Sequence, residues 1–329
     1  MGNVMRALTV TALAVCCVAA PAAAQWTWTP QSGRWVNLKR LPKETPELQV
    51  EYARSLMLDG NYKKALRETI KFRNYYADSD FADENQYLRG EIRMRQGKWI
   101  SAAQEFQQVV ANYPGSERYD DVIAKQYEIG DALFAKGESN LEDGWWRLFR
   151  KRPFRRAIDV YSMVIDNEPF TARAAEAQYK VGLCHFTLEQ YIEAAYEYRR
   201  VIEDYAASEW VDEAAYGLAS CYYEASLPPE YDQEPSLLAI AAVDDFKARF
   251  PGDARVSDLE EKRAEMREKV AAQRMQSARF YEKRRRFDAA RLYYEVVVEQ
   301  FPETTSAEEA RGWLEQNQPA AGSASNMES

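Results

Sequence analysis

An all-α solenoid of about six stacked helix pairs is the fold class that this 329-residue sequence predicts. Three observations carry it. A short segment recurs as Gln86-Tyr87-Leu88-Arg89-Gly90, Gln126-Tyr127-Glu128-Ile129-Gly130 and Gln178-Tyr179-Lys180-Val181-Gly182, with a looser copy at Gln49-Val50-Glu51-Tyr52-Ala53. An Ala follows the small residue at a fixed distance of 12, from Ala53 to Ala65, Gly90 to Ala102 and Gly182 to Ala194. An aromatic precedes that Ala by three residues (Tyr62, Trp99, Tyr191), and Pro or Ala follows it by twelve (Ala77, Pro114, Ala206). Several offsets recurring together at a period of 37, from Ala65 to Ala102 and from Ala157 to Ala194, mark a repeat array. Small residues let two helices approach, the aromatic fills the gap at the turn, and Pro ends the unit. Each pair leaves an apolar face that only the next pair can bury.

The elements follow in order. Residues 1–24 read as an export leader: Arg6, an apolar run from Ala7 to Ala20 too short to span a bilayer, and Ala22-Ala23-Ala24 ahead of a cleavage site before Gln25. Cys16 and Cys17 keep a lipoprotein leader open as an alternative, although Val15 and Cys16 stand where such processing needs a small residue. Residues 25–46 carry Trp26, Trp28 and Trp35 without a helical period and are expected as an extended arm. The solenoid spans 47–317, with repeats at 47–84, 85–122, 123–176, 177–213, 214–258 and 259–317. The final repeat opens on a highly charged stretch without Pro or Gly, Asp258 to about Arg286, expected as one long helix or two in close succession. Residues 318–329, rich in Ala, Ser, Gly and Asn, are expected to be disordered.

Two repeats are interrupted. From Gly130 to Ala157 is 27 residues where sister repeats use 12, so 15 extra residues lie inside the third repeat. Most of the stretch from Gly144 to Ala157, "GWWRLFRKRPFRRA", belongs to this insertion, which is taken as Gly137 to Arg152. Phe154 is the turn aromatic and is expected in the core. Arg147, Arg150, Lys151, Arg152, Arg155 and Arg156 form a cationic cluster, and Trp145, Trp146 and Phe149 need burial, a partner or an interface. The docking residues of this loop are therefore Trp145, Trp146, Arg147, Phe149, Arg150, Lys151 and Arg152, facing a protein or an anionic membrane surface. The bland alternative is a loop that folds its aromatics back and leaves its charges in water. In the fifth repeat, Gly217, Ala239 and Pro251 keep the pattern with ten extra residues around Leu227 to Pro235, and Ser236 replaces the aromatic.

A formal net charge of −9 opposes nucleic-acid binding. The chain has one histidine, His185, at a position that faces the partner helix, and Cys184 points about 100° away from it around the helix. No phosphate-cradling glycine loop, metal-binding spacing or nucleophile elbow is present in the sequence, so no catalytic residue, cofactor, metal or small-molecule substrate is expected. Cys184 and Cys221 read as two buried thiols, with a single bridge as the alternative.

The repeat pattern resembles the tetratricopeptide repeat from roughly Glu47 to Gln316. With the export leader, the aromatic insertion, the long charged helix and the closing "FYEKRRRFDAARLYYEVVVEQFP", the chain resembles the BamD-like family of outer-membrane β-barrel assembly lipoproteins. The resemblance implies a non-enzymatic periplasmic scaffold associated with the outer membrane. Its N-terminal repeats would receive unfolded barrel precursors, and its C-terminal repeats would dock on the barrel-forming subunit. It also implies a concave wall made by the first helix of each pair. Tyr87, Tyr127 and Tyr179 would face that wall as peptide-binding residues, with Glu91, Arg95 and Asp131 as polar neighbours. Packing of these tyrosines between successive repeats is the alternative. An adaptor for another envelope complex is the competing function.

Overall fold

The computed structural model describes residues 26–29, 34–37, 41–142 and 151–317. The leader, the tail and Trp145, Trp146, Arg147, Phe149 and Arg150 lie outside the described residues. Two compact units divide the chain, Met1–Lys98 and Trp99–Ser329.

In the first unit, strand β1 (Trp26–Thr29) pairs antiparallel with β2 (Arg34–Asn37), with Trp28 opposite Trp35. This hairpin stands where the sequence predicts an extended arm: the Trp/Thr alternation of β1 is a strand period, and the two strands satisfy backbone groups on each other. Helices α1 (Pro46–Leu58), α2 (Tyr62–Tyr75) and α3 (Ala82–Arg95) follow. Thr45 caps α1, its hydroxyl accepting from the Leu48 N–H at 3.2 Å, and Pro46 occupies the first turn, where its missing N–H costs nothing. Ala53, Ala65 and Leu88 have no exposed surface.

The second unit is a run of helices, each packed on the next: α4 (Trp99–Asn112), α5 (Tyr119–Glu142), α6 (Arg152–Asn167), α7 (Ala172–Thr187), α8 (Tyr191–Asp204), α9 (Val211–Ala225), α10 (Glu234–Arg249), α11 (Val256–Lys283), α12 (Phe287–Gln300) and α13 (Thr305–Gln316). Within this unit the repeat register gives the third to sixth pairs, from α5–α6 to α11–α12, and a closing helix, α13. Pro114, Pro169, Pro251 and Pro302 each stand within two residues of a helix end. The middle alanines Ala102, Ala157, Ala194 and Ala290 are fully buried.

What fills the space beside these alanines is an aromatic four residues further on, which repeat spacing did not single out. Phe106, Tyr161, Tyr198 and Tyr294 are each at most 2% exposed. A Cβ at Gly130 would come within 2.5 Å of the Tyr161 ring. Tyr198 is gripped on both sides: a Cβ at Gly182 or at Gly217 would meet its ring at 2.7 Å. Glycine here is a requirement of close approach.

The insertion differs from its sequence reading. Its first part continues α5, which reaches 24 residues against 14 for α3 and 16 for α7. Gly137 lies two helical turns beyond Gly130, on the same face, so it belongs to the core: a Cβ there would meet the Phe154 ring at 2.7 Å. Phe134 packs edge-on against the same ring, 5.4 Å between centroids. Phe154 itself has no exposed surface. In the fifth pair the loop before α10 is tied by the buried Gln233 amide, which donates to the carbonyls of Leu227, Pro228 and Tyr231 at 3.2, 2.9 and 3.2 Å.

Candidate interaction surfaces

One polar network lies on the first helices of the third and fourth pairs. Tyr127 and Asp131 sit one turn apart on α5, as Glu176 and Lys180 do on α7. The Lys180 ammonium donates to the Tyr127 hydroxyl at 2.7 Å and to Asp131 at 2.8 Å, and it pairs with Glu176 at 3.1 Å. The Tyr161 hydroxyl donates to the same Asp131 carboxylate at 2.6 Å. Burial, then a hydrogen bond to Glu176, pushes the Tyr127 phenol well above its ordinary value; burial, then the bond to Asp131, does the same to Tyr161. Both phenols stay neutral, and the one ammonium is shared by two carboxylates, which leaves the cluster with one net negative charge.

Of the sequence-predicted groove residues, the structure thus joins Tyr127 with Asp131. Tyr179 goes elsewhere: its ring stacks on Trp210 at 4.9 Å and leans on Tyr198 at 5.6 Å, which is the packing between successive repeats left open by the sequence. In the first unit, Tyr87 is only 6% exposed on α3. Glu91 stands one turn beyond it, near Arg54 at 4.0 Å, and Arg95 is exposed at the end of that helix. Trp210, the stacking partner, has no signal in the repeated offsets, because it lies outside them, just ahead of α9.

At the described end of the insertion, Lys151 donates to Glu189 at 3.0 Å and to the Leu188 carbonyl at 3.5 Å, while Arg152 opens α6 and is exposed. Glu189 belongs to a position with a common backbone. Five residues before the middle alanine, Gly60, Gly97, Glu189 and Arg285 all take positive φ, at 76°, 69°, 61° and 57°. Left-handed backbone suits glycine and costs a residue with a Cβ about 1 kcal/mol or more.

His185 meets Gln190 at 3.1 Å through Nδ1 and is partly buried against its own turn. Cys184 and Cys221 are free and buried; burial raises both thiols, Cys221 to about 12. No helix among the described residues is long and apolar enough to cross a membrane, and no group of metal-ligating side chains is assembled among them.

A model of the YfiO family, described as outer membrane lipoprotein, matches residues 133–328, more than half of the chain. The chain belongs to the YfiO family. The match begins within α5, so α1 to α4 of this YfiO-family chain precede it, and a tetratricopeptide-repeat model matches residues 84–116 there. Outer membrane protein assembly factor BamD of Caulobacter vibrioides is 24% identical over 201 residues, which is 61% of this chain and 63% of that protein. The match therefore spans less than two thirds of the relative's length. Solved structures similar to it include a thermophilic tetratricopeptide protein of Thermus thermophilus, 17% identical, covering 68% of this chain and 98% of that one at a TM-score of 0.31. A tetratricopeptide repeat protein of Parabacteroides merdae is 15% identical, covering 82% and 97%, at a TM-score of 0.32.

Proposed function

We propose that this chain is a non-enzymatic scaffold of the cell envelope, exported to the periplasm and held at the outer membrane, where it takes part in assembling outer-membrane β-barrel proteins. The observation that supports this most is the YfiO-family match, which runs through the third to sixth helix pairs and α13. Stacked helix pairs present long walls of side chains suited to extended polypeptide. The partners in this reading are proteins: unfolded barrel precursors and the barrel-forming assembly subunit. Tyr127 and Asp131 with Lys180 offer donors and acceptors to a bound backbone on the second unit, and Tyr87, Glu91 and Arg95 are the corresponding residues on the first. The insertion, with Trp145, Trp146, Arg147, Phe149, Arg150, Lys151 and Arg152, serves as a docking loop.

Affinity purification of the full chain from solubilised envelope tests the reading. Recovery of the barrel-forming subunit together with unassembled barrel precursors is expected. Recovery of a different envelope complex without either would replace this reading with an adaptor role. For the loop, replacing Arg147, Arg150, Lys151 and Arg152 with Gln should leave the melting temperature nearly unchanged and reduce partner recovery, most at low salt.

A further inference from the structure

The turn between α11 and α12 differs from its sisters in a way that packing does not explain. Lys283, Arg284, Arg285 and Arg286 are consecutive and all exposed, on a protein of net charge −9. None of the four has an ion pair among the described residues. Cations farther back on α11 are paired: Arg267 with Glu303, and Arg279 with Glu309. Two phenylalanines flank the run, Phe280 at 48% and Phe287 at 50% exposure. Phe287 occupies the repeat position that the sequence reading assigns to filling the turn, and that Phe154 does fill; here the ring faces water instead. The Arg284 guanidinium lies 4.3 Å over the Phe280 ring, so charge and ring are presented side by side. Arg285 holds a left-handed backbone, φ 57°, at the position where the first and second repeats use glycine. A strained residue with no ion-pair partner among the described residues is a candidate for a contact outside the chain.

We propose that this turn, from Phe280 to Phe287, seats on an anionic phospholipid surface. Rings at half exposure beside unpaired guanidinium groups match an interface in which phenyl groups enter the headgroup boundary and cations meet phosphate. An acidic protein segment fits less well. The groove beside the turn already holds two carboxylates of its own, Glu309 paired with Arg279 and Glu282 accepting from the Tyr294 hydroxyl at 2.8 Å, and these would repel an acidic chain laid along it. The remaining carboxylate of the stretch, Asp288, stands in the first turn of α12, where the helix dipole favours it. This inference does not depend on the barrel-assembly reading.

Co-sedimentation of the full chain tests it, with vesicles of phosphatidylcholine alone and of phosphatidylcholine mixed with phosphatidylglycerol. Binding to the mixed vesicles is expected, weakening as salt rises, with little binding to the neutral ones. Arg284→Gln, Arg285→Gly and Arg286→Gln combined should weaken partition on the order of a hundredfold. The combined variant should melt no earlier than the parent. If it does not fold, Arg285→Gly and Phe287→Ser singly carry the test, and each should weaken binding severalfold. Equal binding to both vesicle types, or unchanged binding by the variants, overturns the proposal. So does a variant that keeps vesicle binding and loses a protein partner, which would make the occupant an acidic protein. Loss of vesicle binding only when the insertion cations are replaced would move the contact to that loop and overturn it as well.

Discussion

The turns of the fourth and sixth helix pairs can be laid side by side. Each places one residue with a Cβ in left-handed backbone, Glu189 in one and Arg285 in the other. Glu189 has a reason inside the chain: it pairs with Lys151 and so ties the fourth turn to the returning end of the insertion. Among the described residues Arg285 has no such ion pair, and its neighbours Arg284 and Arg286 have none either. The turn aromatics make a second contrast. Phe154 of the third pair is enclosed by Phe134 and Gly137, whereas Phe287 of the sixth is half in water. Repetition of a backbone therefore constrains where a side chain begins and leaves open what it meets. The departures from internal satisfaction mark where the molecule is prepared for contact.

The largest expected effect tests the two aromatics. Phe154→Ala should cost about 3–5 kcal/mol, because it empties a closed site, while Phe287→Ala should cost under about 0.5 kcal/mol. Denaturant midpoints of the two variants measure the difference, and equal losses would erase the contrast. Next come the close helix contacts. Ala102→Leu and Ala194→Leu should each lose about 1–3 kcal/mol through overpacking, visible as lowered melting temperatures. Unchanged midpoints in both would mean that the repeat register is misplaced.

Smaller effects separate the two left-handed residues. Arg285→Gly should gain up to about 1 kcal/mol by relieving the backbone. Glu189→Gly gains the same relief but gives up an exposed ion pair worth about 0–1 kcal/mol, so its net change should lie near zero. A stabilisation of the second as large as that of the first would show that the Lys151 contact contributes nothing. The smallest effect is a negative one. Cys184 and Cys221 are buried with raised thiols, so neither should react with a disulfide reagent at neutral pH in the folded chain, and both should react once urea unfolds it. Rapid native labelling of either would show the fourth or fifth pair to be opening.

What can be read from the sequence is what short-range spacing determines. Ala102, Ala157 and Ala194 are legible as close contacts because helix, turn and helix are neighbours along the chain. The stretch after Asp258 lacks Pro and Gly, which fits one long helix or two in succession; it forms one, α11, which ends at Lys283, ahead of Arg286. Contacts that cross repeats are harder. Gly182 and Gly217 both read as small, but that they close on opposite edges of the single Tyr198 ring depends on how two pairs stack. Tyr179 illustrates the same limit: its stacking partner, Trp210, stands outside the repeated offsets. Gly137 reads as part of the insertion when only the repeat offsets are counted, yet its spacing of two helical turns from Gly130 places it on the packed face. The exposure of Phe287 has no signal in spacing at all, since its position matches that of Phe154.

Helix α11 gives the array a mechanical property that shorter helices would not. At 28 residues it is about 42 Å long, with neither Pro nor Gly to yield, and it packs against α9 and α10 toward one side and α12 and α13 toward the other. Elsewhere in the second unit a push on one helix is passed through several turns before it arrives two pairs away, and each turn can absorb some of it. Along α11 the load is carried by a single strut. A force applied at the α11–α12 turn is delivered to the fifth pair as a tilt of the whole rod, so whatever holds that tip also sets the angle at which the preceding repeats are presented.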